Sequence, residues 1–311
     1  MSNLPLGAST WCFTGKLPPE LNDFIDGQKP LLPEYVQPIR AYFTELADTV
    51  LDSEIKSIEV WFGSAIRDEY VIAQLKRLAD TGRIFSAHTP FGEQLDLSSL
   101  DNEIRRSGVN ACILTADLLS KLGGKTLVVH SSPYFDDLSE RPQRLARCAE
   151  SIAEIADYCR GLGISVAVEL LAGTRLGNTG QELLSLLEAV DRPNVGVCLD
   201  VNHVFPADDL IPAVRLLGTH IITLHISDYD GIEEKHWLPT QGVIDWAGLV
   251  RALREVGYSG PFMYEMYMEA GVGEMASLLE ENYRKIMMGR GVRRDGVTPE
   301  SDLSDLSDES D

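Results

Sequence analysis

Residues 220 to 236 read His220-Ile221-Ile222-Thr223-Leu224-His225-Ile226-Ser227-Asp228-Tyr229-Asp230-Gly231-Ile232-Glu233-Glu234-Lys235-His236. A β-branched apolar run that opens into a histidine, followed within a dozen residues by acids and a second histidine, describes a buried strand whose end delivers metal ligands. His220, at the other end of that run, reads as an ordinary rim histidine. If the strand belongs to a parallel sheet, its neighbours should end in the same way.

They do. Upstream, Arg83 to His88 and Thr126 to His130 close on histidines, while Ile164 to Glu169 and Val195 to Asp200 close on carboxylates. Downstream, Phe262-Met263-Tyr264 runs into Glu265. Leu6 to Trp11 and Ser57 to Phe62 supply two earlier strands, and helical patterns fall near 34–51, 70–78, 101–122, 140–161, 180–190, 245–256 and 274–288. In the 140–161 segment Leu145, Cys148, Ile152, Ile155 and Cys159 recur every three or four residues, one buried stripe of an amphipathic helix. Strands alternating with helices imply parallel pairing, and closing eight such units removes every exposed sheet edge. The expected fold is therefore α/β, a (β/α)8 TIM barrel over residues 1–292, with a low-complexity acidic tail at 293–311. An open doubly wound sheet is disfavoured by the lack of a GxGxxG turn or a phosphate-binding P-loop.

Composition narrows the function. Hydrophobic residues make up 44% of the 311, enough for a full core, and no apolar run approaches the roughly 18 residues of a membrane span. The five cysteines, Cys12, Cys112, Cys148, Cys159 and Cys198, form no CxxC pair and sit in apolar segments, which suits a reducing cytoplasm. Net charge is −21; setting aside the seven acids of residues 295–311 leaves −14, a poor balance for a nucleic-acid partner. No membrane partner is expected.

In a parallel barrel all strand ends lie on the C-terminal face, so His88, His130, Glu169, Asp200, His225 and Glu265 should converge there. Three carboxylates brought together would repel one another unless a cation lay between them. Mixed Glu, Asp and His donors suit Mn2+, Mg2+, Co2+ or Zn2+.

Several short pieces, taken together in this order and spacing, carry a resemblance: Ser86-Ala87-His88-Thr89-Pro90-Phe91, Val128-Val129-His130, Val168-Glu169-Leu170, Leu199-Asp200-Val201-Asn202-His203, His225-Ile226-Ser227-Asp228 with Gly242-Val243-Ile244-Asp245-Trp246, and Tyr264-Glu265. From about residue 5 to 290 the chain resembles the xylose isomerase-like TIM barrels of the sugar phosphate isomerase/epimerase family, a group that also holds abasic-site endonucleases and ketose 3-epimerases. The resemblance implies one divalent cation, Mn2+ foremost, on Glu169, Asp200, His225 and Glu265. It implies a keto-sugar, sugar phosphate or related polyol as substrate, with Glu169 and Glu265 exchanging the proton α to a metal-bound carbonyl through an enediolate. His203 would touch substrate oxygens. His88, His130, Glu234 and His236 would share in substrate binding, and Trp11, Phe62, Phe91 and Trp237 would offer apolar walls. A homo-oligomer, common in the family, leaves no clear sequence trace.

The same resemblance keeps rivals open. The abasic-site endonucleases build a three-zinc phosphodiesterase centre, and His88, His130, His203, Glu234 and His236 are ligand-type residues at every additional position. The acidic balance and Glu234-Lys235-His236 in place of an Asp-Arg-His speak against that reading. A metal-dependent dehydratase or lyase on a keto-sugar is a further alternative, as is a barrel that binds a sugar without turning it over. Two departures bear on substrate: no arginine lies between His225 and Trp246, where ketose 3-epimerases grip substrate oxygens, and Pro239-Thr240-Gln241-Gly242 replaces a Pro-Gly-x-Gly. No phosphate-binding constellation is evident.

Overall fold

Eight short strands, each buried along nearly its whole length, form the inner wall: β1 (Leu6–Ser9), β2 (Ser57–Trp61), β3 (Ile84–His88), β4 (Thr126–Val129), β5 (Ser165–Glu169), β6 (Val195–Asp200), β7 (Ile221–His225) and β8 (Phe262–Tyr264). The structure, a computed structural model, describes residues 4–25, 29–204 and 208–289. Every pairing is parallel and the order runs β7-β6-β5-β4-β3-β2-β1-β8. The seam between β7 and β8 is bridged at Ile226, whose N–H donates to Met263 O at 2.8 Å and whose carbonyl accepts from Glu265 N at 3.0 Å. This is a (β/α)8 TIM barrel.

Among the described residues nine α-helices surround the wall: α1 (Pro19–Ile25), α2 (Val36–Asp52), α3 (Glu69–Ala79), α4 (Asn102–Lys121), α5 (Arg141–Leu162), α6 (Gly180–Val190), α7 (Leu210–Leu217), α8 (Trp246–Glu255) and α9 (Val272–Met287). Two of these, α1 and α7, lie in stretches that sequence periodicity leaves as connections. Both are short, and Pro19 and Pro212 fall in their first turns, where proline is tolerated because the first N–H groups have no intrahelical partner anyway. The acidic tail at 293–311 lies outside the described residues. No helix among the described residues is long and apolar enough to cross a membrane.

The main core fills the space between strands and helices, whereas Val128, Ala167 and Cys198, with Ile222 against them, make a separate small cluster. Cys198 comes within ligand distance of Glu169 and His225, so this cluster sits directly beside the residues that end the strands.

Helix α3 shows how the outer layer is fastened. Asp68 caps it, its Oδ1 accepting from Tyr70 N at 3.0 Å and Val71 N at 3.2 Å, and it also receives a two-pronged bond from Arg40 of α2 at 2.8 and 3.1 Å. Arg40 holds the Asp68 carboxyl below its ordinary 3.8 even though partial burial pushes the other way. A folded-state pKa that is depressed stabilises the fold fully above the unfolded value and loses that stabilisation as pH falls through the folded value. Asp68→Ala should therefore cost about 1–2 kcal/mol at neutral pH, in line with loss of a helix cap. In denaturant titrations that difference from the parent protein should narrow as the pH is taken below about 4. A difference that does not change with pH would show that the carboxylate charge is not what matters.

Candidate metal centre

Four of the strands end on their ligand-type residue, His88 on β3, Glu169 on β5, Asp200 on β6 and His225 on β7; His130 and Glu265 stand one position beyond β4 and β8. All but His130 are buried, and His130 is nearly so. Donor atoms of Glu169, Asp200, His225 and Glu265 lie within 4.8 Å of one another. The same holds for His88, His130 and Glu169, and for His203, Glu234 and His236. His88, His130, Glu169, Asp200, His203, His225, Glu234, His236 and Glu265 are thus brought to one mouth, with Trp11 edge-on to His236 at 5.1 Å between ring centres.

The protonation pattern follows from the hydrogen bonds. His225 donates Nε2–H to Glu59 Oε1 at 2.9 Å, which leaves Nδ1 as the nitrogen turned toward the strand-end carboxylates. That Nδ1 faces Glu265 Oε2 at 2.9 Å, Glu169 Oε1 at 3.4 Å and Asp200 Oδ2 at 3.9 Å. His88 donates Nδ1–H to the Thr89 carbonyl at 2.8 Å, and its Nε2 pairs with Glu169 Oε2 at 3.2 Å. His130 Nε2 lies 3.1 Å from the same oxygen. These nitrogens face carboxylates and can pair with them only as N–H donors, whereas a cation bound between them would take their lone pairs instead. His225 Nδ1 and Asp200 Oδ2 are buried with no hydrogen-bond partner at all among the described residues, a costly arrangement that a cation at their meeting point would relieve. The donor set of oxygen and imidazole nitrogen fits a divalent cation.

The electrostatics say the same. Burial alone would raise Glu169, yet His130 and His225 overcome it and hold this carboxyl well below the usual range. Burial pushes Asp200 up to about 6, with His203 opposing. Burial would lower His225, but Cys198, Glu265, Glu59 and Glu169 around it drive it well above the usual imidazole value. The acids pull protons onto histidines, and these are protons that a bound cation displaces.

Glu59 escaped the reading of strand ends because it sits in the middle of β2. Its signal was an acid set between Ile58 and Val60 in a strand otherwise built for burial. The structure satisfies both its oxygens, one by His225 and the other by Ser86 Oγ at 2.7 Å. Trp61, next to the Phe62 singled out as a wall, stacks on His88 at 4.7 Å and on Trp11 at 5.5 Å, while Phe91 stacks on His130 at 4.0 Å.

The loop after β7 owes its shape to Asp228. This fully buried carboxylate accepts from Tyr229 N, Thr240 N and Ile244 N at 3.0, 2.8 and 3.2 Å and from the Trp246 indole at 2.9 Å, so it is an anchor and not a ligand. Asp230 in turn caps the turn at Ile232 and Glu233, each at 2.8 Å. The result carries Glu234 Oε1 to 2.9 Å from His236 Nε2 and 3.3 Å from His203 Nε2. His236 reaches this place with φ at +49°, a left-handed backbone uncommon outside glycine. His220 is exposed on the opposite face, as expected of a rim histidine.

With this geometry in hand the chain can be compared with known proteins. It is 28% identical over 202 residues to a ketose 3-epimerase of Arthrobacter globiformis, a stretch covering 63% of this chain and 68% of the relative. It is 30% identical over 195 residues to a D-psicose 3-epimerase of Ruminiclostridium cellulolyticum, covering 59% of this chain and 63% of that one. The aligned stretch thus spans about two thirds of the length of these relatives. A solved structure of L-ribulose 3-epimerase superposes with a TM-score of 0.68 over 95% of this chain and 100% of the other, at 18% identity, which speaks to the fold alone. A family model described as xylose isomerase-like TIM barrel matches residues 47–285. On that match, which covers well over half its length, the chain belongs to the xylose isomerase-like TIM barrel family.

Proposed function

We propose that the protein is a divalent-metal-dependent epimerase, or a closely related isomerase, of a keto-sugar, sugar phosphate or related polyol. The observation that carries this reading is the convergence of Glu169, Asp200, His225 and Glu265, with two glutamates brought in by strands three places apart around the wall. Names of the relatives, ketose 3-epimerase and D-psicose 3-epimerase, favour inversion at a carbon next to a ketone. Mn2+ is the ion we favour for these donors. When bound, such an ion supplies positive charge beside a carbonyl and makes the neighbouring C–H more acidic.

The chain's own residues do the rest. One of Glu169 and Glu265 takes the proton and the other returns one; return on the opposite face inverts the carbon, and return to the neighbouring carbon interconverts aldose and ketose. Burial of both carboxylates keeps bulk water from competing for the proton. His88, His130, His203, Glu234 and His236 line the mouth with groups able to bond sugar hydroxyls, and Trp11 and Phe91 add apolar surface. All five cysteines are buried and free, which favours the cytoplasm.

A second reading has a specific observation behind it. The trios His88/His130/Glu169 and His203/Glu234/His236 are each compact enough to hold a cation of their own, as a multi-zinc phosphodiesterase would require. Metal analysis of the purified protein together with solvent-deuterium exchange into candidate ketoses separates the two. One metal per chain with exchange by NMR supports the epimerase; three zinc ions with cleavage of an abasic-site duplex would overturn it.

Glu169→Gln and Glu265→Gln should each lower deuterium exchange by roughly 10²- to 10⁴-fold, the usual contribution of a positioned acid or base. Both variants should keep part of their metal, since the other donors remain. Glu59→Gln should act on the ion instead. Removing the charge that fixes the His225 tautomer should weaken metal binding by about 10- to 100-fold in a calorimetric titration. Unchanged affinity would show that Glu59 serves packing alone.

A further inference from the structure

The connection between β5 and α6 carries a cation that the proposed reaction leaves unused. Ten other arginines of this acidic chain face a carboxylate, and Arg175 faces none among the described residues. Its guanidinium carbon instead lies 3.8 Å from the centre of the Tyr134 ring. Tyr134 is 55% exposed at the rim, and its far support is Gly173, where a Cβ would come within 2.5 Å of the ring. Gly173 also takes a positive φ of +70°, so both backbone and space ask for glycine there.

The backbone beneath this pair is tied down independently of Arg175. Arg141 donates to the Thr174 carbonyl at 2.8 Å, to the Arg175 carbonyl at 3.0 Å and to Asn178 Oδ1 at 3.0 Å, and is itself clamped by Glu182. The neighbouring loop is sewn to it, Ser131 Oγ donating to Leu176 O at 2.5 Å and Ser132 Oγ accepting from Leu176 N at 2.9 Å. The Arg175 side chain is thus not needed to build its own loop. Arg175 lies six residues beyond Glu169 at the end of β5, and its loop is joined to the one that follows β4, so it stands on the same face of the barrel as the strand-end ligands.

We propose that Arg175, seated over the Tyr134 ring, is a subsite for an anionic oxygen group, phosphate or carboxylate, at the end of the substrate remote from the carbon handled by Glu169 and Glu265. The guanidinium fork suits either group, and stacking on an aromatic face fixes its plane before the substrate arrives. A fixed cation also answers the lack of an arginine between His225 and Trp246: recognition comes from the β5 side of the mouth instead of the β7 side. This inference rests on the keto-sugar reading above and narrows it to sugars carrying a negative charge.

The test uses the metal-loaded full chain with D-fructose, D-fructose 6-phosphate and D-fructuronate, comparing the parent protein with Arg175→Ala, Arg175→Lys and Tyr134→Ala. The parent should prefer one of the charged sugars to fructose, and whichever it is identifies the group. Arg175→Ala should cut that preference roughly 10- to 100-fold, through KM and not kcat, the scale of one lost charge-assisted contact. Arg175→Lys should recover part of it, and Tyr134→Ala should fall between. A general disturbance of the fold would lower all three substrates together and leave the ratio unmoved. Calorimetric binding of the same sugars tests the subsite even if none exchanges a proton, so failure of the reaction and failure of Arg175 are distinguishable. A parent protein that binds charged and neutral sugars equally, or a ratio untouched by Arg175→Ala, overturns the proposal.

Discussion

The structure depends on a concentration of buried negative charge. Glu59, Glu169, Asp200 and Glu265 lie out of water around His225, and no lysine or arginine among the described residues comes within ion-pair distance of any of them. Like charges at this spacing repel strongly once solvent is excluded, and histidine protons are a partial remedy. The barrel makes the arrangement mechanically possible. A parallel ladder fixes each strand against the next, so four side chains from β5 to β8 are held in register by backbone hydrogen bonds that owe nothing to the charges themselves. Rigidity elsewhere thus sustains strain at one spot, and that is the condition under which a cation binds tightly.

Much of this was legible in the sequence because the signal repeats. Apolar runs ending in His or an acid recur, and a single period of strand and helix explains them all, so the placing of Glu169, Asp200, His225 and Glu265 required no information about tertiary contacts. Short helices defeat that logic: α1 and α7 are each too brief for a 3.6-residue pattern to rise above noise, and prolines in their first turns mimic loops. Glu59 was passed over for another reason. Its role is a contact with His225, 166 residues away, and the acid between Ile58 and Val60 marks a carboxylate in a buried strand without naming its partner.

Asp228 makes the complementary point. By position it belongs to the same run of acids as Glu234, yet its four donors come from 229 to 246, and it is spent on shaping the loop. Residue type proposed a cluster, and hydrogen-bond satisfaction sorted it into an anchor, a turn cap and two groups at the mouth. The same sorting separates Arg141, whose donors are consumed by its loop, from Arg175, which among the described residues lies over the Tyr134 ring and faces no carboxylate.

The seam at Ile226 has a meaning for assembly of the chain. β8 is the last of these eight strands to leave the ribosome, and it must pair both with β1, the first of them, and with the residue directly after His225. Closing the wall and aligning Glu265 with His225 are consequently one event. A nascent or partly opened chain has an unpaired edge and an incomplete ligand set at the same moment, so the proposed cation can reward only the finished topology. Binding of the ion would then act as a late check on folding, drawing the chain forward across its most distant contact.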